Sequence, residues 1–410
     1  MTRYRAAWVL PVADRPIRDG WVAVEQGRIA ALGKNSENAD TDRDLGSVAL
    51  LPGLVNTHTH FELSYLRQQV PAAEAFVTWI RGVMAARRQR PDPNSSEILD
   101  GIRAGIDEAV RSGTALVGDI SNTLATHAPL LESPLAAVLF YELIRFNAPD
   151  PVAFVDQACQ QIDGLPVSTS VRASLAAHAP YSVAPLVFRA IRDAIDRRPF
   201  IPCSVHLSES REEVEFIATG EGEWRRFLEE VGSWTPDWVA PGVSPVRFLD
   251  DAGFLDQRVL AVHGVQMTRD DLARLAAKGT TLVACPRSNA FTGAGAPPIS
   301  SFYESGVAVA VGTDSLASTP DLNVFSELAA MRRLAPDVSA WRLLESATLT
   351  GARALGFDAE YGTLEPGKRA RILAVRVPGA VSDVEEYLLS GITPDQLFWV
   401  DESPESMARS

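Results

Sequence analysis

Residues 51–64 read LPGLVNTHTHFELS, an apolar run that ends in His58 and His60 with Glu62 next in step. Alternate residues of an extended strand face the same side, so this spacing turns both imidazoles to one face and Thr59 to the other. The chain has six histidines, and three more follow or close apolar runs: His178 in AAHAPYS, His206 in SVHLSES and His263 in AVHGV. Asp314 closes another such run, AVGTDS, while His127 lies in loop-like TLATHAPL. Singly, each has a plain reading, as a hydrogen-bonded histidine at a strand end or an aspartate capping a helix. Taken together, His58, His60, His206 and Asp314 form a set of three nitrogens and one oxygen. With a water in an open position, that set suits one divalent metal ion, Zn²⁺ or Fe²⁺.

These groups meet only if their strands converge. The candidate strands are the run ending at Val55, then TALVGDI (114–120), LAAVLFYEL (135–143), VRASLAAHA (171–179), FIPCSVHL (200–207), VLAVHGV (259–265), TTLVACP (280–286) and VAVAVGTD (307–314). Amphipathic stretches lie between several of them. In SSEILDGIRAGIDEAVRSG, Ile98, Ile102, Ile106 and Val110 recur every four residues before Gly113 ends the pattern, and TRDDLARLAAKG is similar. Alternating strands and helices predict an α/β protein with a parallel sheet, and eight units predict a closed (β/α)8 barrel. The histidines and Asp314 then sit at the C-terminal strand ends, the rim where barrel active sites are built. Short β segments at both chain ends predict a small β-sandwich domain from residues 1–50 plus 362–410, beside a barrel over 51–361.

The net charge of −14 over 410 residues argues against nucleic acid and anionic membrane surfaces as partners. Cys159, Cys203 and Cys285 are odd in number and far apart, which predicts no disulfide framework. The N-terminus lacks an uninterrupted apolar core, and no run is long enough for a membrane span. The expectation is a cytoplasmic protein.

In this order, PGLVNTHTH, HAPYS, HLSES, VHG, CPRSN and GTDS resemble the amidohydrolase superfamily. More narrowly, they are similar to its cytosine deaminase/chlorohydrolase branch, which includes adenosine-type, S-adenosylhomocysteine/methylthioadenosine and aminodeoxyfutalosine deaminases. One departure is Arg371, where the family usually has aspartate. Two-metal members commonly bridge their ions with a carboxylated lysine. The lysines here, Lys34, Lys278 and Lys368, end no barrel strand, so one metal is expected. The resemblance and the chemistry agree on roles. The metal lowers the pKa of its bound water, Asp314 accepts the proton, and His263 holds the water without binding metal. Glu209, three residues after His206, serves as general acid and base.

The resemblance also implies that His178 contacts the purine ring. Trp79 in the helix-like AFVTWIRGVMAARRQRP either stacks on substrate or packs a core. Related nucleoside deaminases carry a glutamate later in that helix to hold ribose hydroxyls, and Arg87–Arg88 stand there in this chain. Arginines suit an anionic distal group, so Arg145 and Arg287 are candidate substrate contacts, with a surface ion pair as the alternative for Arg287. Glu62 either replaces the ribose contact or steadies the metal ligands. The expected function is replacement of an exocyclic amine on a purine-type heterocycle or nucleoside, with release of ammonia. Aminodeoxyfutalosine is the leading substrate. The alternatives are S-adenosylhomocysteine or methylthioadenosine deamination, or hydrolysis or dechlorination of another heterocycle. The expected partners are a small-molecule heterocyclic substrate and water, with the assembly open between monomer and homodimer.

Overall fold

The computed structural model describes residues 1–34, 42–198, 201–379 and 381–400. Phe200 of the fifth expected strand, and residues 35–41, 380 and 401–410 of the expected small domain, lie outside the described residues.

Eight parallel strands pair in sequence order: β1 (Leu54–Thr59), β2 (Thr114–Ser121), β3 (Ala136–Leu143), β4 (Val171–Ala177), β5 (Cys203–Leu207), β6 (Val259–His263), β7 (Thr281–Ala284) and β8 (Ala308–Val311). The apolar, β-branched runs are buried on both faces, as a parallel sheet wrapped by helices requires. The ring closes through Asp314 rather than through a long β8. Thr59 and Asp314 form a parallel bridge, in which the Asp314 N–H donates to His58 O and Thr59 Oγ1 donates to Asp314 O, both at 3.0 Å. The sequence predicts that β8 runs to Asp314, but it stops at Val311. Gly312 crosses directly over β1, where a Cβ would lie 2.7 Å from His58 Cβ, so the chain leaves the regular ladder at the one residue without a side chain.

Helices α1 (Phe76–Arg88) and α2 (Ser96–Arg111) follow β1. In α2, Ile98, Ile102 and Ile106 are buried as the spacing predicts, but the next buried position is Ala109, with Val110 only half-buried. A helix turns every 3.6 residues, so a strict step of four drifts off the stripe by its third repeat. Gly113 ends this segment at a φ of 88°.

The chain ends build a separate seven-stranded sheet. Ile372–Arg376 pairs antiparallel with Val48–Pro52, and Leu397–Trp399 adds at the edge. Val48–Pro52 straddles the boundary expected at residue 50, because its ladder with Ile372–Arg376 continues to Pro52. Between the two C-terminal strands, Leu388 and Ile392 pack into the barrel core. Among the described residues, no helix is long and apolar enough to cross a membrane. All three cysteines are buried and free.

Candidate active site

The rim of the barrel gathers the expected donors. Nε2 of His58 and Nε2 of His60 lie 3.2 Å apart. Asp314 Oδ1 lies 3.4 Å from His60 Nε2 and 3.8 Å from His58 Nε2. The His206 ring is centred 4.9 Å from His58 and 5.5 Å from His60. Burial lowers these imidazole pKa values, to about 3 for His60, where His178 and Arg87 add to it, and to about 4 for His206, where Glu142 partly opposes it. The rings are therefore neutral and carry free lone pairs. His206 Nδ1–H donates to His178 O at 2.9 Å, which leaves the free lone pair on Nε2. Neutral nitrogens and a carboxylate held this close in a buried site fit a divalent cation, which neutralises and orients them. His263 adjoins the same cluster, its ring 5.7 Å from that of His58.

Each of these groups is fixed from behind. Asp314 Oδ2 accepts from Ser288 Oγ at 2.5 Å and Ser318 Oγ at 3.2 Å, leaving Oδ1 toward the histidines. Asn289 Nδ2 donates to His263 Nδ1 at 2.9 Å, so His263 carries its proton on Nε2. That Nε2 faces Glu209 Oε2 at 3.5 Å. Glu209 is 3% exposed, and burial, then the Asp314 charge, raises its pKa well above the usual carboxyl range. Burial therefore favours the protonated carboxyl, the form that can act as an acid. Ser208, His263 and Asp314 have φ values of 53°, 80° and 60°, a left-handed conformation that is uncommon outside glycine.

Above the cluster opens a cavity of about 800 Å³. His60, His206, His263, Glu209 and Asp314 line its floor, and α1 with its Trp79, Val83 and Arg87 lines one wall. His178 also lines it, with Nδ1 2.6 Å from Ser182 Oγ. Trp79 both lines the cavity and packs in the apolar cluster beneath α1, and its indole N–H has no acceptor. Arg145 lines the mouth, its guanidinium 4.9 Å over the Phe154 ring.

Two expected contacts point elsewhere. Arg287 is outside the cavity lining: its Nε donates to Glu327 at 2.7 Å and its Nη1 pairs with Asp321 at 2.9 Å. In the helix Pro286–Thr292, rotation by about 100° per residue sends Ser288 and Asn289 inward and Arg287 to the flank. Glu62 is buried behind the wall. It accepts from Ser121 Oγ at 2.5 Å, from the Thr123 N–H at 3.1 Å and from Arg87 Nη2 at 3.2 Å. Arg87 is thus the group that reaches the cavity, with Glu62 as its anchor.

Sequence reasoning missed Asn122, Glu142 and Glu213. Glu142, a carboxylate inside the apolar run of β3, is the one with a legible signal, because a charge so placed needs a reason.

The family model that matches this chain is that of the amidohydrolase family, over residues 49–393. The chain is 28% identical over 389 residues to a 5-methylthioadenosine/S-adenosylhomocysteine deaminase of Moorella thermoacetica, covering 90% of this chain and 83% of the relative. It is 31% identical over 363 residues to an aminodeoxyfutalosine deaminase of Deinococcus radiodurans, covering 82% and 81%. Among solved structures, an adenosine deaminase from Xanthomonas campestris with bound zinc superposes with a TM-score of 0.81 at 26% identity, covering 97% of this chain and 90% of that one. The rim of histidines and aspartate, the buried glutamate beside it and these similarities agree: the chain belongs to the amidohydrolase family and is a hydrolytic deaminase.

Proposed function

We propose that this enzyme deaminates a 6-aminopurine nucleoside bearing an anionic distal group, with aminodeoxyfutalosine as the specific substrate and one Zn²⁺ per chain. The observation that carries this reading is the pair Arg88 and Arg145. Both line the mouth of an aromatic-walled cavity, and neither has a carboxylate partner among the described residues. Such a donor-rich, aromatic wall suits a carboxylate on an aromatic ring.

His58, His60, His206 and Asp314 would hold the ion, which supplies a water of lowered pKa when bound. Asp314 would accept a proton from the attacking water. His263 Nε2–H, its other nitrogen tied to Asn289, steers the attacking oxygen. Glu209 gives its proton to the ring nitrogen beside the amine-bearing carbon and then relays another to the amine. The carbon–oxygen bond forms and the carbon–nitrogen bond breaks. The two protons of the water end on the ring nitrogen and on the departing ammonia.

Ammonia release from aminodeoxyfutalosine, S-adenosylhomocysteine and methylthioadenosine tests the substrate. The expected order places the carboxylate-bearing aminodeoxyfutalosine first in kcat/KM. Arg145→Ala should raise its KM by about 10-fold or more while sparing methylthioadenosine, which has no anion. Equal turnover of all three would sink the anionic reading. Highest turnover of S-adenosylhomocysteine, whose amino-acid tail also bears a carboxylate, would favour the substrate of the Moorella relative.

A further inference from the structure

Ser182 has no part in the proton transfers described above, yet it lines the cavity beside His178. It lies in the turn between β4 and the helix Pro185–Asp196. Its Oγ is 2.6 Å from His178 Nδ1 and 3.2 Å from Ala179 O. The hydroxyl has one proton to give, and Ala179 O already accepts the Ser182 N–H at 3.1 Å. An N–H donating to an oxygen sits at about 2.7–3.2 Å, whereas a hydroxyl donor reaches about 2.5–3.0 Å. The close contact is therefore the hydroxyl's own: Ser182 Oγ–H donates to Nδ1, and the imidazole proton stands on Nε2.

Both partners are held where this choice persists. The His178 N–H donates to Leu143 O at 3.1 Å, and the His178 carbonyl accepts the His206 N–H at 2.8 Å and its Nδ1–H at 2.9 Å. Tyr181 stands edge-on to the imidazole, with ring centres 5.6 Å apart and planes at 87°. Beyond Ser182, Val183 bridges to Arg145, and the Ala184 N–H donates to Arg145 O at 2.9 Å. With Nδ1 occupied, Nε2–H is the polar atom of the ring left for a ligand, and it offers a proton rather than a lone pair. Glu209 in its acid form is a second donor, placed after β5 where His178 follows β4. Two donors at separate strand ends suit a ring with two unprotonated nitrogens. A ring with N–H at the second place would set proton against proton.

We infer that Ser182 is a positioning residue that fixes His178 as a hydrogen-bond donor. Through it the site selects aminated heterocycles that carry a second, unprotonated ring nitrogen away from the reacting edge; the use of nucleosides as probes rests on the reading above.

Zinc-loaded enzyme labelled with ¹⁵N-histidine tests the tautomer by NMR with no substrate present. The His178 signals, assigned by their loss in His178→Gln, should show the proton on Nε2. Ser182→Ala should shift them toward a mixture of tautomers, and Ser182→Thr, which keeps the hydroxyl, should leave them native. A native proton on Nδ1, or no change in Ser182→Ala, would overturn the inference. Kinetics on adenosine, 3-deazaadenosine and 7-deazaadenosine tests the selection, since each analogue replaces one ring nitrogen by C–H. Comparing variant with native cancels the intrinsic reactivity of each compound. Ser182→Ala should lower kcat/KM for adenosine by about 10-fold, chiefly through KM, the value of one hydrogen bond. One of the two analogues, already without the acceptor, should be spared, and Ser182→Thr should restore adenosine. An equal loss on all three would make Ser182 structural and overturn the inference while leaving the nucleoside reading intact. Native enzyme that releases ammonia from no nucleoside would overturn the nucleoside reading, and the labelled histidine would still decide the role of Ser182.

Discussion

The Glu213 carboxylate holds the backbone N–H of Glu209 at 2.9 Å and, with its other oxygen, that of Ser208 at 2.9 Å. The turn that aims Glu209 is therefore built by the first turn of the following helix, Arg211–Thr219. Glu213 is fully buried, which is unusual for a helix N-terminal acid that merely complements a dipole. Glu213→Ala should lower kcat by about 10- to 100-fold, as loss of a supporting hydrogen-bond partner does. Metal content should stay at the native level, because His206 is held within β5. Steady-state kinetics with metal analysis checks both, and a normal kcat would show that the turn holds itself.

Asn289 decides which His263 nitrogen carries the proton. Asn289→Ala releases that choice and should reduce kcat by about 10- to 100-fold with metal retained. Asn289→Asp should be worse, since a carboxylate draws the proton to Nδ1 and leaves Nε2 without it. A merely structural asparagine would give the opposite order, with the smaller alanine the more harmful.

The strand-end histidines and Asp314 were legible because a barrel converts sequence position into spatial position. Every residue at the C-terminal end of a strand reaches the same rim. Among the helix–loop residues, Glu209 was legible from its place after His206, and the part its neighbours play was not. Glu209, Glu212, Glu213 and Glu215 look alike in SESREEVE, and only the turn at Ser208, with its φ of 53°, sends one into the cavity and one behind it. Arg287 misleads for the same reason. The motif CPRSN is legible as a unit, but which of its side chains face the metal depends on the rotation of a short helix. Glu62 was read as substrate contact or ligand support. Its observed partner is Arg87 of α1, a pairing that no local pattern announces.

Arg287 provides a direct contrast between scaffold and site. Its guanidinium neutralises Glu327, which is fully buried. Arg287→Ala leaves that carboxylate without its charge partner and should destabilise the fold by about 3–5 kcal/mol, the usual result of breaking a buried pair from one side. KM should remain within about twofold of the native value, the surface-distant expectation for a side chain outside the cavity. Urea unfolding and substrate titration measure the two effects. A raised KM with unchanged stability would return Arg287 to the substrate.

Asp119 gives the pH dependence a specific source. It is fully buried in β2, where Oδ1 accepts the Phe61 N–H at 2.9 Å and so pins the backbone that follows His60. Burial, with a smaller push from Glu62, raises its pKa to about 8, and the hydrogen bond from the Phe61 N–H only partly opposes the rise. The unfolded chain releases this proton near pH 4. The folded state therefore binds the proton more tightly, and the stability this group contributes is fully present below about pH 4 and lost as pH climbs to 8. Between those limits the loss is about 1.4 kcal/mol per pH unit. Asp119→Asn keeps an oxygen for the Phe61 N–H and has no proton to lose. The unfolding free energy of the variant, minus that of the native protein, should therefore rise by about 2–3 kcal/mol between pH 6 and pH 8. Urea unfolding of chelator-treated protein at the two pH values measures it. A difference that stays constant with pH would mean that Asp119 ionises as it does in the unfolded chain, and that the turn after His60 is held by a charge rather than by a neutral acid.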